Sequence, residues 1–362
     1  MTGVSSKLFF GILLFAPLAF GTVEHWSLMA VEVSIVITFI LCLVGLKRED
    51  EPLLKVPGLL PLIILIVFIF LQLIPLPVYL LKIISPVSWE VYKPVYELSG
   101  GNGWLPITVN QKVTLQGLLR LISYGLCYVL TIQLLRTGDT VDITLKFLTI
   151  LGSAVAFFAI LQQFSSEGEI YWFRMAPGGN PGGPWVNANQ YSAFIEALCP
   201  LALGLFLLYK PKDPSKATLK EKFITLFSSP GSHKHFLFGF AFLLMFFSVY
   251  VTMSRGGVVT IFVSLILFGV LASYKRKSFS RSTFWMIACL ALGIASWFGW
   301  QPVIEQFDNS FDTTGAIHDD RIQLWLDTLA LIKDYPLFGG GFGTYNDIYP
   351  SYKTIEDNLI YD

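Results

Sequence analysis

Nine apolar runs, each 16 to 23 residues long and almost uncharged, divide this chain of 362 residues: Leu8–Val23, Ser27–Leu46, Val56–Ile74, Val113–Leu135, Phe147–Ser166, Asn189–Tyr209, Phe236–Met253, Gly256–Tyr274 and Ser282–Ile304. About 20 such residues carry an α-helix across the hydrocarbon core of a bilayer. The runs predict an all-α fold, a polytopic transmembrane helix bundle of about nine spans. Composition agrees, with 54% hydrophobic, 15% aromatic and only 14% charged residues, against about 25% charge in soluble domains. Formal net charge is zero, so a globally basic nucleic-acid binder is not indicated. The first run, with Lys7 at its edge, can be read as a signal peptide. Ala19-Phe20-Gly21 is a poor cleavage site, however, and an uncleaved first helix is expected. Cys42, Cys127, Cys199 and Cys289 all lie inside apolar runs with no C-x-x-C pair, which suits small core residues rather than a disulfide framework or zinc site.

Basic residues set the expected orientation. With the N-terminus in the cytoplasm, sixteen Lys and Arg fall inside, eight fall outside and Arg120 lies within a span. The inner segments are also the shorter ones. The expected organisation is a helical bundle over 1–304 with outer loops at 75–112 and 167–188. An extracytoplasmic segment follows over 305–362. The first outer loop is rich in proline and aromatics (Trp89, Tyr92, Tyr96, Trp104), and the second is turn-rich through Gly178–Trp185.

Several polar residues stand out against this background. Arg255, in Ser254-Arg255-Gly256-Gly257, sits in a four-residue connection at the outer surface. The glycines permit a sharp turn that exposes backbone N–H groups beside a guanidinium. That position suits a lipid-linked phosphate held in a bidentate fork, or an interfacial anchor that snorkels to headgroups. Arg120 lies a third of the way into the fourth span, where a charge is functional or paired; Glu32 and Glu196 are its candidate partners. Ile322, Trp325, Leu329 and Ile332 repeat at helical spacing. They predict an amphipathic helix over 320–334, capped by Asp319 or Asp320, ended by Tyr335-Pro336 and lying flat on the outer leaflet. Arg321 stands at the edge of its stripe. The glycine cluster Gly339-Gly340-Gly341-Phe342-Gly343 can form an anion nest or a plain loop. Asn187 and Asn189 open the sixth span, where their amides can meet sugar hydroxyls or cap the helix. Arg174 is the basic residue of the second outer loop. His25 and His318 are the outer histidines, and no D-x-D pair occurs. No metal site is assigned, and Glu167-x-Glu169 is the sole outside pair of acids set one residue apart.

Taken together, Asn187-Ala188-Asn189-Gln190-Tyr191, Ser254-Arg255-Gly256-Gly257, Arg321-x-x-x-Trp325 and Lys333-Asp334-Tyr335-Pro336-Leu337-Phe338-Gly339-x-Gly341-x-Gly343-Thr344 resemble the bacterial O-antigen ligase and polymerase family, membrane glycosyltransferases of the GT-C type. These motifs run in the expected order over about residues 185–350. The resemblance implies an inverting transfer without metal or other cofactor, outside the bacterial inner membrane. An undecaprenyl-diphosphate-linked glycan is the implied donor. A hydroxyl of lipopolysaccharide core, growing polysaccharide or protein is the implied acceptor. It makes Arg255 and Arg321 the catalytic residues that neutralise the leaving diphosphate. Substrate binding is expected of Arg120, Arg174, Asn187, Asn189, Ser254, Gly256, Trp325 and Gly341. In the family a histidine-bearing segment, whose histidine is the proposed base, and further spans follow the glycine cluster. Here no histidine follows His318 before Asp362, so the chain reads as cut short and no base is assigned. A transporter or flippase for a lipid-linked or anionic substrate is the alternative. It calls for broken helices and polar groups at mid-membrane, whereas the notable polar residues here cluster at the outer ends of spans.

Overall fold

The computed structural model describes residues 3–101, 103–176, 181–211, 225, 227–252, 254–275 and 320–354. Helices dominate them. In chain order these are α1 (Gly3–Leu18), α2 (His25–Arg48), α3 (Leu59–Leu73), α4 (Val78–Ile84), α5 (Pro86–Leu98), α6 (Gln111–Leu134), α7 (Gly138–Ser165), α8 (Ala188–Leu208), α9 (Ser232–Val251), α10 (Arg255–Lys275), α11 (Asp320–Asp334) and α12 (Tyr345–Ile348). Two short antiparallel pairs tie down the segments after α3 and α7: β1 (Leu76–Pro77) with β2 (Trp104–Leu105), and β3 (Glu169–Ile170) with β4 (Arg174–Met175).

Eight of the nine apolar runs fall on helices, and the ninth, Ser282–Ile304, lies outside the described residues. Helices α2, α6, α7, α8 and α9 have 20 to 28 residues and are apolar enough to cross a bilayer. At 1.5 Å per residue each reaches about 30 Å or more. Helices α1 and α3 and residues 256–272 of α10 are shorter apolar helices. The architecture is the all-α membrane bundle that the runs predict. One boundary moved: the first helix spans Gly3–Leu18, five residues earlier than its apolar run. Ser5, Ser6 and Lys7 continue the helix, because a polar end costs nothing once it leaves the hydrocarbon. At the other end Phe20, Gly21 and Thr22 all take positive φ and stop it.

The chain divides into two compact units. One contains residues 35–133 together with the C-terminal segment. Its core gathers Leu81, Trp89 and Ile107, with Tyr92 and Phe338 against them. The other contains residues 3–34 and 134–308. Its core is the packing of α7, α8, α9 and α10 through Val155, Ala156, Ala159, Tyr191, Ile195, Ala202, Met245, Val249 and Ile261. Small residues bring these helices close, as dispersion packing in a membrane requires. A Cβ on Gly152 of α7 would lie 2.8 Å from the Met245 sulfur and 2.9 Å from Leu198 Cδ1.

Candidate functional site

In the unit built on α7–α10, the Asn187–Tyr191 motif organises the turn that carries Arg255. Asn187 caps α8 by accepting a hydrogen bond from Asn189 N at 2.8 Å. The next residues of that first turn reach across to the α9–α10 hairpin. Asn189 Oδ1 accepts the Ser254 hydroxyl at 2.6 Å, and the Tyr191 hydroxyl donates to Ser248 Oγ at 2.6 Å. Ser254 in turn caps α10, its Oγ accepting Gly257 N at 3.0 Å. Gly257 is where α8 and α10 touch: a Cβ there would fall 2.6 Å from both Cβ and Oγ of Ser192. One turn deeper, Thr260 Oγ1 donates to Glu196 Oε1 at 2.6 Å. The face of α8 bearing Asn189, Ser192 and Glu196 therefore meets Ser254, Gly257 and Thr260.

Arg255 is the first residue of α10. It stands where the helix dipole and unpaired N–H groups favour an anion. A Cβ on the exposed Gly256 would meet nothing within 4 Å, so the backbone beside Arg255 is open.

Arg174 lies in the same unit, on β4. Its guanidinium pairs with Glu24 and stands 4.8 Å from the centre of the Phe20 ring. Gln162, buried at the end of α7, holds the loop that follows: Nε2 donates to Gly183 O at 2.9 Å and Oε1 accepts Tyr171 N at 3.0 Å.

The other unit holds Arg120, Arg321, Trp325 and Gly341. Arg120 is exposed on α6, and its side chain makes no ion pair or hydrogen bond among the described residues. Helix α11 spans Asp320–Asp334, the bounds expected from its stripe. Its side chains before Gln323 lie outside the described residues, so Arg321 and the Asp319/Asp320 cap are located by backbone at most. Trp325, Leu329 and Ile332 are 63%, 55% and 53% exposed. The opposite face is clasped by the chain that returns after the helix. Asp327 accepts Gln323 Nε2 at 2.9 Å, Thr354 Oγ1 at 2.9 Å, Thr354 N at 3.1 Å and the Tyr349 hydroxyl at 3.4 Å. Burial alone would raise the Asp327 pKa, but these hydrogen bonds together hold it below the usual carboxylate range. The Tyr352 hydroxyl donates to Asp334 Oδ2 at 2.6 Å.

The glycine cluster is a fixed loop. Gln72, buried at the end of α3, donates to Phe338 O at 2.8 Å and accepts Phe342 N at 2.9 Å. Val109 N donates to Gly340 O at 2.8 Å. Gly341 has φ +114, and a Cβ there would lie 2.1 Å from Thr108 Oγ1 and 2.9 Å from Thr114 Oγ1. Only glycine fits. With Phe342 N given to Gln72, that amide is not open to an anion, which favours the plain loop over the nest.

Sequence reasoning missed Gln72, Gln162 and Asp327, and it held Tyr191 in a motif without a role. The two glutamines carried a signal, being amides at the rims of apolar runs just before long connecting segments. Among the described residues no cluster of three or more His, Cys, Asp or Glu is placed to hold a metal ion.

No curated protein and no solved structure matches the chain. Residues 240–361, 122 of the 362, match the O-antigen ligase family. That segment takes in the Ser254–Gly257 turn, α11 and the glycine loop, whereas the Asn187–Tyr191 motif precedes it. Over that third of the chain the protein is similar to the O-antigen ligase family, and its apolar helices are those of a membrane protein.

Proposed function

We propose that this protein moves a glycan from an undecaprenyl-diphosphate carrier to a hydroxyl of lipopolysaccharide core, growing polysaccharide or protein, at the outer face of the inner membrane. In this reaction the acceptor oxygen attacks the anomeric carbon and the bond to the diphosphate oxygen breaks. The bonding electrons leave with the diphosphate and the anomeric configuration inverts. Negative charge grows on the diphosphate as the bond lengthens, and Arg255 and Arg321 are the groups that neutralise it. Two guanidiniums can serve this purpose without a divalent cation, because each offers a planar pair of donors to phosphate oxygens. The acceptor proton passes to a general base as the new glycosidic bond forms.

The observation that carries this reading is the place of Arg255. It is the first residue of α10, a helix whose cap, Ser254, is hydrogen-bonded to Asn189. A helix start attracts phosphate through its dipole and free N–H groups, and an arginine there adds a full charge. Trp325, Leu329 and Ile332 form an apolar face suited to the leaflet that holds a polyprenyl carrier.

The test is transfer by full-length protein reconstituted with lipid-linked donor. Arg255→Ala should insert normally yet lose transfer by at least about 100-fold, the effect of removing one donor to a developing oxyanion. Transfer at the wild-type rate by that variant would remove Arg255 from the mechanism.

A further inference from the structure

We infer that Asn189 and Ser254 are positioning residues, a hydrogen-bonded pair that fixes the start of α10 and so sets where Arg255 can meet a diphosphate. This rests on the proposed role of Arg255 and adds to it two residues that act through the backbone rather than on substrate.

The connection from α9 to α10 is short and its two arms are tied separately to α8. Before the turn, the Tyr191 hydroxyl holds Ser248 Oγ, which also donates to Met245 O at 2.7 Å. After the turn, Asn189 holds Ser254. The Ser254 hydroxyl has two tasks at once. Its proton goes to Asn189 Oδ1, and its oxygen accepts Gly257 N. Removing Asn189 frees the hydroxyl to turn, and removing the hydroxyl leaves Gly257 N without its cap. Either change loosens the same helix start. Ser254 is buried and Asn189 exposed, so the pair joins the packed α8–α10 seam to the outer rim where Arg255 begins the helix. Below it, the Ser192–Gly257 contact keeps the seam closed. The first turn of α10 therefore has one adjustable anchor above a rigid one.

A shared task makes a specific demand on the energetics. Two residues that act through one hydrogen bond lose their effect together, so their substitutions do not add. Two residues that each touch substrate lose it independently.

The experiment measures binding of undecaprenyl diphosphate to full-length protein in nanodiscs, with thermal unfolding recorded on the same samples. Asn189→Ala and Ser254→Ala should each weaken binding about tenfold, and the double variant should also be near tenfold rather than hundredfold. Ser254→Thr keeps the hydroxyl and should bind within about twofold of wild type. A hundredfold loss in the double variant, or wild-type binding by Asn189→Ala, overturns the inference. Should Asn189→Ala fail to accumulate, equal binding by Ser254→Thr and Ser254→Ala overturns it instead. Arg255→Ala separates the two levels of the argument. If that variant binds undecaprenyl diphosphate like wild type, the reading of Arg255 itself fails. If it binds poorly while Asn189→Ala binds well, only the positioning role falls.

Discussion

At the scale of single residues, one device recurs: a buried glutamine near the end of an apolar helix closes two hydrogen bonds with the backbone of a non-helical segment. Gln72 clasps Phe338 and Phe342, Gln162 clasps Gly183 and Tyr171, and Gln133 takes both the N–H and the carbonyl of Leu54. A primary amide suits this task because it offers a donor and an acceptor in one plane at the spacing of a peptide group. Near hydrocarbon, loop amides have no water to turn to, so each clasp removes a penalty as well as making a bond. Gln72→Leu should leave Phe338 O and Phe342 N unpaired. The expected destabilisation of the glycine loop is about 1–3 kcal/mol, seen as faster amide exchange at 338–342 with exchange in α7–α9 unchanged. Unaltered exchange at Phe342 would show that the loop is held by other means. None of these partnerships was legible in the sequence. Gln72 and Phe338 are 266 positions apart, and a single sequence holds no record of which distant backbone group an amide will meet.

At the scale of elements, legibility followed periodicity. The stripe Ile322, Trp325, Leu329 and Ile332 gave α11 its bounds, because an apolar residue every three or four positions has only one regular solution. The polar face of α11 was another matter. Gln323, Asp327 and Asp334 hold the chain at 345–354, which no periodicity announces. Asp327 is the centre of that clasp, and its charge is what the four hydrogen bonds recognise. Its folded pKa is depressed. The clasp is therefore fully present above the unfolded carboxylate value of about 3.9 and is lost as pH falls through the lower folded value. In wild-type protein, amide exchange across 345–354 should rise only in that acid range. In Asp327→Asn it should already be high at pH 7 and change little with acid. A variant that kept wild-type protection at neutral pH would show that the charge is not what closes the clasp.

For the molecule as a whole, the decisive question is which way the bundle faces, and one helix is enough to ask it. Helix α9 runs from Ser232 to Val251, 20 residues, and so spans about 30 Å of bilayer. Ser228 precedes it and Gly256 follows it, so the two positions should lie on opposite sides. Both suit a cysteine label. Ser228 is exposed, and a side chain at the exposed Gly256 would meet no atom within 4 Å. The distribution of Lys and Arg predicts a cytoplasmic Ser228, beside the most basic segment of the chain. With the four native cysteines replaced by alanine, a membrane-impermeant maleimide should label Gly256→Cys in intact spheroplasts. Ser228→Cys should react only after the membrane is opened. The reverse pattern would put Arg255 in the cytoplasm, across the bilayer from a glycan presented on the outer leaflet. No arrangement of hydrogen bonds around α10 would then let that guanidinium reach the leaving diphosphate. Charge asymmetry in the loops and phosphate chemistry at the Ser254–Gly257 turn are thus a single claim about which side of the membrane the reaction occupies.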